Sequence, residues 1–331
     1  MEMRKNGSPG SGRGGWTAAL ANRVRAGDLQ ESALYVAARK RVSRLLVNAL
    51  VYALLVEFVF VFVFPYLYMV INSLKYDFDI RSANTQWIIT RFNFYNYSQA
   101  ISDLRYVEGL LNNLMAAFGS TLGHVASASL IAYGLARFRF PGRNLVFSIV
   151  ILTLIIPPNL LLIPMYIQFA RMGQALGTSL IGTLWPILLP TFFGFGLKGG
   201  LFIFIFRQYF KGLPASYEEA AKIEGCGPLR IFLTIILPLS KTGVLVVAIL
   251  STMWHWNDYF EPIIYLKGPS TLLFQRIVNI QVWRGVYTAA GNYINPVVLA
   301  ACVLITAPLL LIYFVFQKQF MKGIEFTGLA N

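Results

Sequence analysis

Charge is scarce in this chain of 331 residues. Asp, Glu, Lys and Arg together make up 13% of it, about half the roughly 25% of an ordinary soluble domain. Acidic residues are scarcer still, 14 against 28 Lys and Arg. The deficit is not the mark of a disordered chain, because 56% of the residues are hydrophobic and the mean hydropathy is +0.60. A membrane protein is implied. The formal charge of +14 does not point to nucleic acid, because the basic residues sit beside apolar runs and form no continuous stripe. Cysteine is nearly absent. Cys226 falls in a polar loop and Cys302 in the last apolar run, two different environments, so no disulfide is expected. No phosphate-binding GxxxxGK[ST] loop occurs. The stretch Gly194 to Gly200 has the glycines without the spacing, so any nucleotide chemistry belongs to another chain.

What is present in quantity is long apolar runs. A hydrocarbon core about 30 Å thick takes roughly 20 helical residues to cross. Six runs reach that length, about Leu45–Ile71, Leu111–Leu135, Leu145–Phe169, Leu180–Phe206, Gly243–Leu266 and Pro296–Phe316, the fourth being long and interrupted. Basic residues near the ends orient them. Arg39, Lys40, Arg41 and Arg44 precede the first run, and Arg137, Arg139 and Arg143 follow the second. Arg207, Lys211, Lys222, Arg230 and Lys241 follow the fourth, and Lys318 and Lys322 the sixth. The opposite loops are longer and carry fewer. Both termini are therefore expected on the cytoplasmic side. Residues 1–44 read as a cytoplasmic extension rather than a secretory signal, since the apolar run starts late and is too long. The extension is expected to be flexible to about Gly27, with Leu29 to Arg44 as an amphipathic helix on the membrane surface or a basic anchor for the first span.

The loop of residues 213–240 is polar, compact and punctuated. Ser216-Tyr217-Glu218-Glu219 fits a capping box, in which the Ser216 hydroxyl accepts from the Glu219 amide and the Glu219 carboxylate reaches back. Gly225 is a natural left-handed stop. A helix from Tyr217 to Glu224, about 12 Å long, is predicted. Gly227-Pro228 breaks the chain, Pro228 opens a second helix over Leu229 to Leu237, and Pro238 marks the bend before span five. Ala220 and Ala221 keep the first helix slim. A slim, rigid helix on a membrane protein suits insertion into a groove of another protein. A solvated surface helix fits the same pattern, and capping alone does not separate the two.

The wider pattern does separate them. Glu219-Ala220-Ala221, then Gly225, then Ile235-Ile236-Leu237-Pro238, resembles the EAA loop of ABC importer permeases. Supporting segments are Asn72-Ser73-Leu74-Lys75, the run Ala132 to Arg143, Ile156-Pro157-Pro158, Ile163-Pro164-Met165-Tyr166, and Trp256-Asn257-Asp258-Tyr259 with Pro262. The resemblance runs from about Pro65 to Gly328 and is to carbohydrate-type permeases related to the maltose permease subunit MalG. It implies a loop helix docked in a cleft of a cytoplasmic ATPase, with Tyr217, Glu218, Glu219, Ala220, Ala221, Glu224 and Gly225 as the coupling set. Glu219 would make the key polar contact and Gly225 would permit the turn. It also implies a second permease subunit, an ATPase dimer that binds ATP and Mg, and a solute-binding protein outside. The C-terminal tail, Lys322 to Asn331, would reach the ATPase dimer. Glu224 stands where the family has Asp, and the ending Phe-Thr-Gly-Leu-Ala-Asn departs from the family's basic ending. ATPase closure would carry the loop helix inward and tilt the membrane core, with no covalent chemistry in this chain.

Other residues are weighed within the spans. Gly119, Gly123 and Ser127 recur every four residues and suit close helix packing in lipid. His124, with no second ligand nearby in sequence, reads as a hydrogen-bonded interior residue. Glu57, midway along span one, is expected to face the bundle interior. Pro157, Pro158 and Pro164 break span three and free carbonyls to line a cavity, with Asn159 beside them as either a sugar-facing group or a helix-packing one. Lys198 lies inside span four, where it either faces the solute or snorkels to the headgroups. Trp254, Trp256 and Asn257 in span five suit sugar rings, although such tryptophans also anchor helices at the interface.

The expected fold is an all-α membrane protein of six spans. The N-terminal extension is residues 1–44, the permease domain 45–320 with the coupling loop 213–240, and the cytoplasmic tail 321–331. The expected function is a permease subunit of a bacterial inner-membrane importer for a carbohydrate, an oligosaccharide and acidic ones included. No cofactor or metal is expected in this chain, and no nucleic-acid partner. The alternatives are an importer of a polyol or glycerol phosphate, an autonomous secondary transporter, and a membrane transferase. The last two are disfavoured, since no internal repeat and no acidic cluster beyond Asp77 and Asp79 is found.

Overall fold

The computed structural model describes the backbone of residues 14–81, 87–283 and 295–328, and side chains within 41–80, 87–268, 270–278 and 295–318. All the regular structure among these residues is helical. In chain order the helices are α1 (Gly14–Ser73), α2 (Asp77–Arg81), α3 (Tyr95–Leu104), α4 (Tyr106–Arg137), α5 (Arg143–Ile155), α6 (Leu162–Ala175), α7 (Trp185–Thr191), α8 (Gly199–Gly212), α9 (Ser216–Ile223), α10 (Pro228–Ile231), α11 (Leu237–Leu239), α12 (Lys241–Asn257), α13 (Phe260–Tyr265), α14 (Leu273–Trp283) and α15 (Pro296–Gly328). A π-helical turn, Phe232–Ile236, joins α10 to α11. The chain forms two units, residues 1–67 and 68–331.

The first unit is the α1 helix up to Leu67. It starts at Gly14, earlier than the flexible stretch to Gly27 expected from sequence, because the segment after Gly15 is rich in Ala, Leu, Arg, Gln and Glu, all strong helix formers. The side-chain faces of the expected amphipathic helix lie outside the described residues up to position 40. Within this unit Glu57 is exposed rather than enclosed.

Three helices are long and apolar enough to cross a membrane: Arg41–Ser73 within α1, α4, and Pro296–Lys318 within α15. Two further stretches reach that length only as bent pairs. Residues 143–155 and 158–175 meet at 99°, and residues 228–239 and 241–257 at 79°. The first bend falls at Pro157-Pro158, where the second proline cannot donate to the helix and its neighbour is pushed to extended geometry. Span four is not one helix. Gly194, Gly196 and Lys198 have φ of 76°, 93° and 63°, so the chain turns between α7 and α8 instead of continuing. Helix α8 then runs to Gly212, past the expected end at Phe206. Lys198 therefore sits exposed at the N-cap of α8, not in mid-helix. Span five ends at Asn257, and α13 follows as a separate short helix. The helix of span six continues to Gly328, through most of the stretch read as a tail.

The second unit is built around α4, which packs along α8 and α12 and against α7. Small residues allow this. A side chain at Gly119 would strike Leu188, and one at Gly123 would overlap Thr191, so the small face of α4 is the seat of α7. An aromatic layer of Tyr133, Phe206, Phe210 and Phe232 fills the end of the bundle below the 213–240 loop. At the opposite end a second cluster joins α3, α14 and α15. There the buried Arg276 caps the end of α3, donating to the carbonyls of Leu104 at 2.9 Å and Arg105 at 3.2 Å, and pairs with Glu108 at 3.2 Å. Asn96 does the same for the end of α1, donating to the Ser73 and Lys75 carbonyls, each at 2.8 Å.

Candidate functional site

The sequence-shaped loop is a helix, and its ends are built differently from each other. At the start the capping box is not formed. The N-cap is Ala215, no side chain caps it, and the amides of Glu218 and Glu219 bond the Ala215 carbonyl instead. The helix starts one residue earlier than expected because Ala215 itself has helical φ and ψ, which places Ser216 inside the first turn. The end matches the expectation. Gly225 has φ of +80°, its amide bonds the Lys222 carbonyl at 3.0 Å, and the Cys226 amide reaches back to the Ala221 carbonyl at 3.0 Å. This is the two-bond closure of a helix by a left-handed glycine. The half-buried Cys226 packs against the core cluster that contains Ala221, which seals the turn.

Helix α9 has an inner and an outer face. Glu218 and Ala221, three residues apart, are buried. Tyr217, Glu219, Ala220, Glu224 and Gly225 are exposed. The two acidic neighbours thus have separate environments, a distinction that the coupling set read from sequence did not draw. The Glu218 Oε1 lies 2.8 Å from Arg137 Nε, off the line of an aligned hydrogen bond, and both side chains are largely buried. The Arg137 Nη2 donates to the Leu213 carbonyl at 2.8 Å. Arg137 entered the sequence reading as a basic flank and within the run Ala132 to Arg143, with no partner assigned, because a separation of 81 positions from Glu218 hides the pairing. On the outer side, a cleft of ≈ 460 Å³ opens between α9 and the α10–α11 stretch, lined by Ser216, Tyr217, Ala220, Thr234, Pro238 and Leu239.

The residues read as a solute path are only partly brought together. Lys198 Nζ stands 5.8 Å from the centroid of the Trp254 ring. Trp254 in turn packs on Phe202 at 5.7 Å between centroids, and Phe202 on His124 at 4.7 Å. Asn159 is exposed on the turn between α5 and α6, and Asn257 is exposed at the end of α12, where its amide donates to its own helix at Met253. Trp256 is 1% exposed and belongs to the core. His124 is not alone, as read from sequence, because His255 lies 5.3 Å away between ring centroids. Both rings are buried, with Thr121 and Thr252 bonded at 3.0 Å across the same α4–α12 contact. Among the described residues neither nitrogen of His124 finds a hydrogen-bond partner, nor does the Ser120 hydroxyl. Two histidines do not make a metal centre. Among the described residues no group of three or more His, Cys, Asp or Glu could hold a metal ion.

The described residues form a bent, helical membrane unit with an exposed, glycine-stopped helix between two apolar stretches. The chain belongs to the binding-protein-dependent transport system inner membrane component family, whose sequence model matches residues 125–325. It is 29% identical over 288 residues to the polygalacturonan/rhamnogalacturonan transport system permease protein YtcP of Bacillus subtilis, spanning 84% of this chain and 96% of that one. It is 32% identical over 236 residues to the alpha-glucoside transport system permease protein AglG of Rhizobium meliloti, spanning 71% of this chain and 59% of that one. The fold is similar to a chain in the crystal structure of a bacterial ABC transporter involved in the import of the acidic polysaccharide alginate. The TM-score is 0.66 at 21% identity, over 82% of this chain and 95% of that one.

Proposed function

We propose that the chain is one of two membrane subunits of an ATP-driven, binding-protein-dependent carbohydrate importer in a bacterial inner membrane. The observation that carries the coupling half of this reading is the outer face of α9. A helix held at its end by Gly225 and seated on Ala221 presents Tyr217, Glu219, Ala220 and Glu224 to the outside as a rigid unit. An ATPase dimer, which binds ATP and Mg, takes this face in a cleft, with Glu219 as the polar contact. ATPase closure moves α9, and α10 to α12 carry the motion to the membrane core. Solute arrives from a binding protein on the outer side.

The topology follows the basic residues: six spans, both termini cytoplasmic, the fourth span made of α7 and α8, residues 1–44 as an extension, 45–320 as the permease domain and 321–331 as a tail at the ATPase. The carbohydrate reading is supported by the names of the two relatives and carried from them to this chain. Lys198 beside the Trp254 ring supports an acidic sugar at the inner path, since the ring suits the apolar face of a sugar and the ammonium its carboxylate. Asn159 and Asn257 border the path, and the buried Trp256 belongs to the core.

Purification from the native membrane in mild detergent, of wild type beside Glu219→Ala, tests the reading. A second permease subunit and an ATPase should travel with the wild type. In Glu219→Ala the ATPase should be lost or its hydrolysis uncoupled, with solute uptake down at least about tenfold, the ordinary size of a coupling between sites. A chain that travels alone and moves solute without ATP would make it an autonomous transporter. Uptake of glycerol phosphate or a polyol in place of any sugar would overturn the carbohydrate assignment.

A further inference from the structure

Glu218 is one of two adjacent carboxylates on α9, and it points away from the docking face. From its burial and its partner we infer that Glu218 is not an ATPase contact but half of a latch, with Arg137 as the positioning residue, that ties the coupling helix to the central helix α4. The inference rests on the reading of α9 as the ATPase-docked helix.

Three chain ends meet at Arg137. It is the last residue of α4. Its Nη2 donates to the carbonyl of Leu213, the C-cap of α8. Its Nε faces the Glu218 carboxylate at 2.8 Å on the inner side of α9. A carboxylate and a guanidinium with side chains only 7% and 14% exposed are poorly screened, so each holds the other in place. Arg207 adds a second tie between α8 and α4, donating to the Leu135 carbonyl at 3.4 Å. Beneath the latch, Tyr133 of α4 packs on Phe232 at 5.2 Å between centroids, so the joint is ionic on one side and aromatic on the other.

The consequence concerns the path of force. By covalent connection α9 pulls on α10 to α12 and, through Leu213 to Ala215, on α8. Through Arg137 the same displacement reaches α4 directly. Because α4 packs on α7, α8 and α12, motion of its end is motion of the bundle. A guanidinium suits the task because its planar fork serves a carboxylate and a carbonyl at once, which an ammonium on a flexible stem does not.

The test separates docking from transmission. Arg137→Gln and Glu218→Gln are compared with Glu219→Ala in the reconstituted full complex. Three quantities are read: ATPase recovered with the permease, solute moved per ATP hydrolysed, and the distance between spin labels at Lys222 and Arg139, with Cys226 and Cys302 replaced by Ser. Both latch variants should keep the ATPase bound, lower solute moved per ATP by about tenfold, and broaden the label distance. Arg137→Lys, which keeps the charge, replaces Arg137→Gln if the latter folds poorly, and should lose coupling in part. Unchanged solute per ATP would overturn the latch. So would loss of the ATPase equal to that in Glu219→Ala, since Glu218 would then belong to the docking face. If the wild-type complex contains no ATPase, the proposed function fails, and the label distance alone judges the latch: broadening upholds the tie between α9 and α4, and an unchanged distance removes it.

Discussion

The α9 loop and the interior around His124 are both polar insertions in an apolar chain, and they treat polarity in opposite ways. In the loop, the inward charge of Glu218 is met by Arg137, and the outward groups of Tyr217, Glu219 and Glu224 face solvent. In the interior, both His124 nitrogens, the Ser120 hydroxyl and the Trp256 indole nitrogen are buried without a hydrogen-bond partner among the described residues. A buried polar group left unmatched costs about 1–3 kcal/mol. The loop is therefore a finished part that needs only a partner to act on. The interior is held by close packing of small residues and aromatic rings and by the Thr121–Thr252 bond, while these other polar groups stay unmatched among the described residues.

The comparison breaks first at the interior packing. Gly123→Val should cost about 1–3 kcal/mol, as overpacking does, because its Cβ would overlap Thr191 and Phe192. Thermal unfolding of the purified protein in detergent reads this as a clear drop in midpoint. An unchanged midpoint would show that α7 is not seated on α4 as described. Glu219→Ala should leave the same midpoint unmoved while uptake falls, which marks the outer face of α9 as functional and the α4 seam as structural.

Lys198→Met sharpens the interior further. Lys198 is exposed, and its place beside Trp254 is of the size seen for cation–π contacts, about 0.5–1 kcal/mol at exposed sites. Discrimination between an acidic and a neutral sugar of equal size should fall by about two- to fivefold. Competition uptake assays measure the ratio, and an unchanged ratio removes Lys198 from the path. The smallest effect belongs to Ser216→Ala. A true N-cap would cost about 1 kcal/mol on this change. Ser216 sits within the first turn of α9 and caps nothing, so the expected change in midpoint is close to zero. A loss of the full capping magnitude would restore the box and move the start of α9.

Much of α9 was legible because its signals are local. Gly225 stops a helix through its own φ, and the loop's glycines and prolines act on neighbours one or two residues away. The start was misread for the same reason. Ser216-x-x-Glu219 satisfies a pattern, but whether Ala215 adopts helical geometry depends on how Leu213 and Pro214 leave α8, and Leu213 is held by Arg137 far along the chain. The interior was less legible still. Nothing near His124 in sequence announces His255, and nothing near Lys198 announces Trp254. Span four read as long and interrupted, but its composition did not say where the chain turns, which the left-handed Gly194, Gly196 and Lys198 decide.

Sequence by itself determined the membrane character, the apolar stretches and the hinge points, because burial in lipid depends on composition over about 20 residues and a hinge on one Gly or Pro. Only the tertiary structure decided which of two adjacent glutamates faces inward. That choice depends on a guanidinium delivered from another helix, and a charge seeks its partner in space, not along the chain.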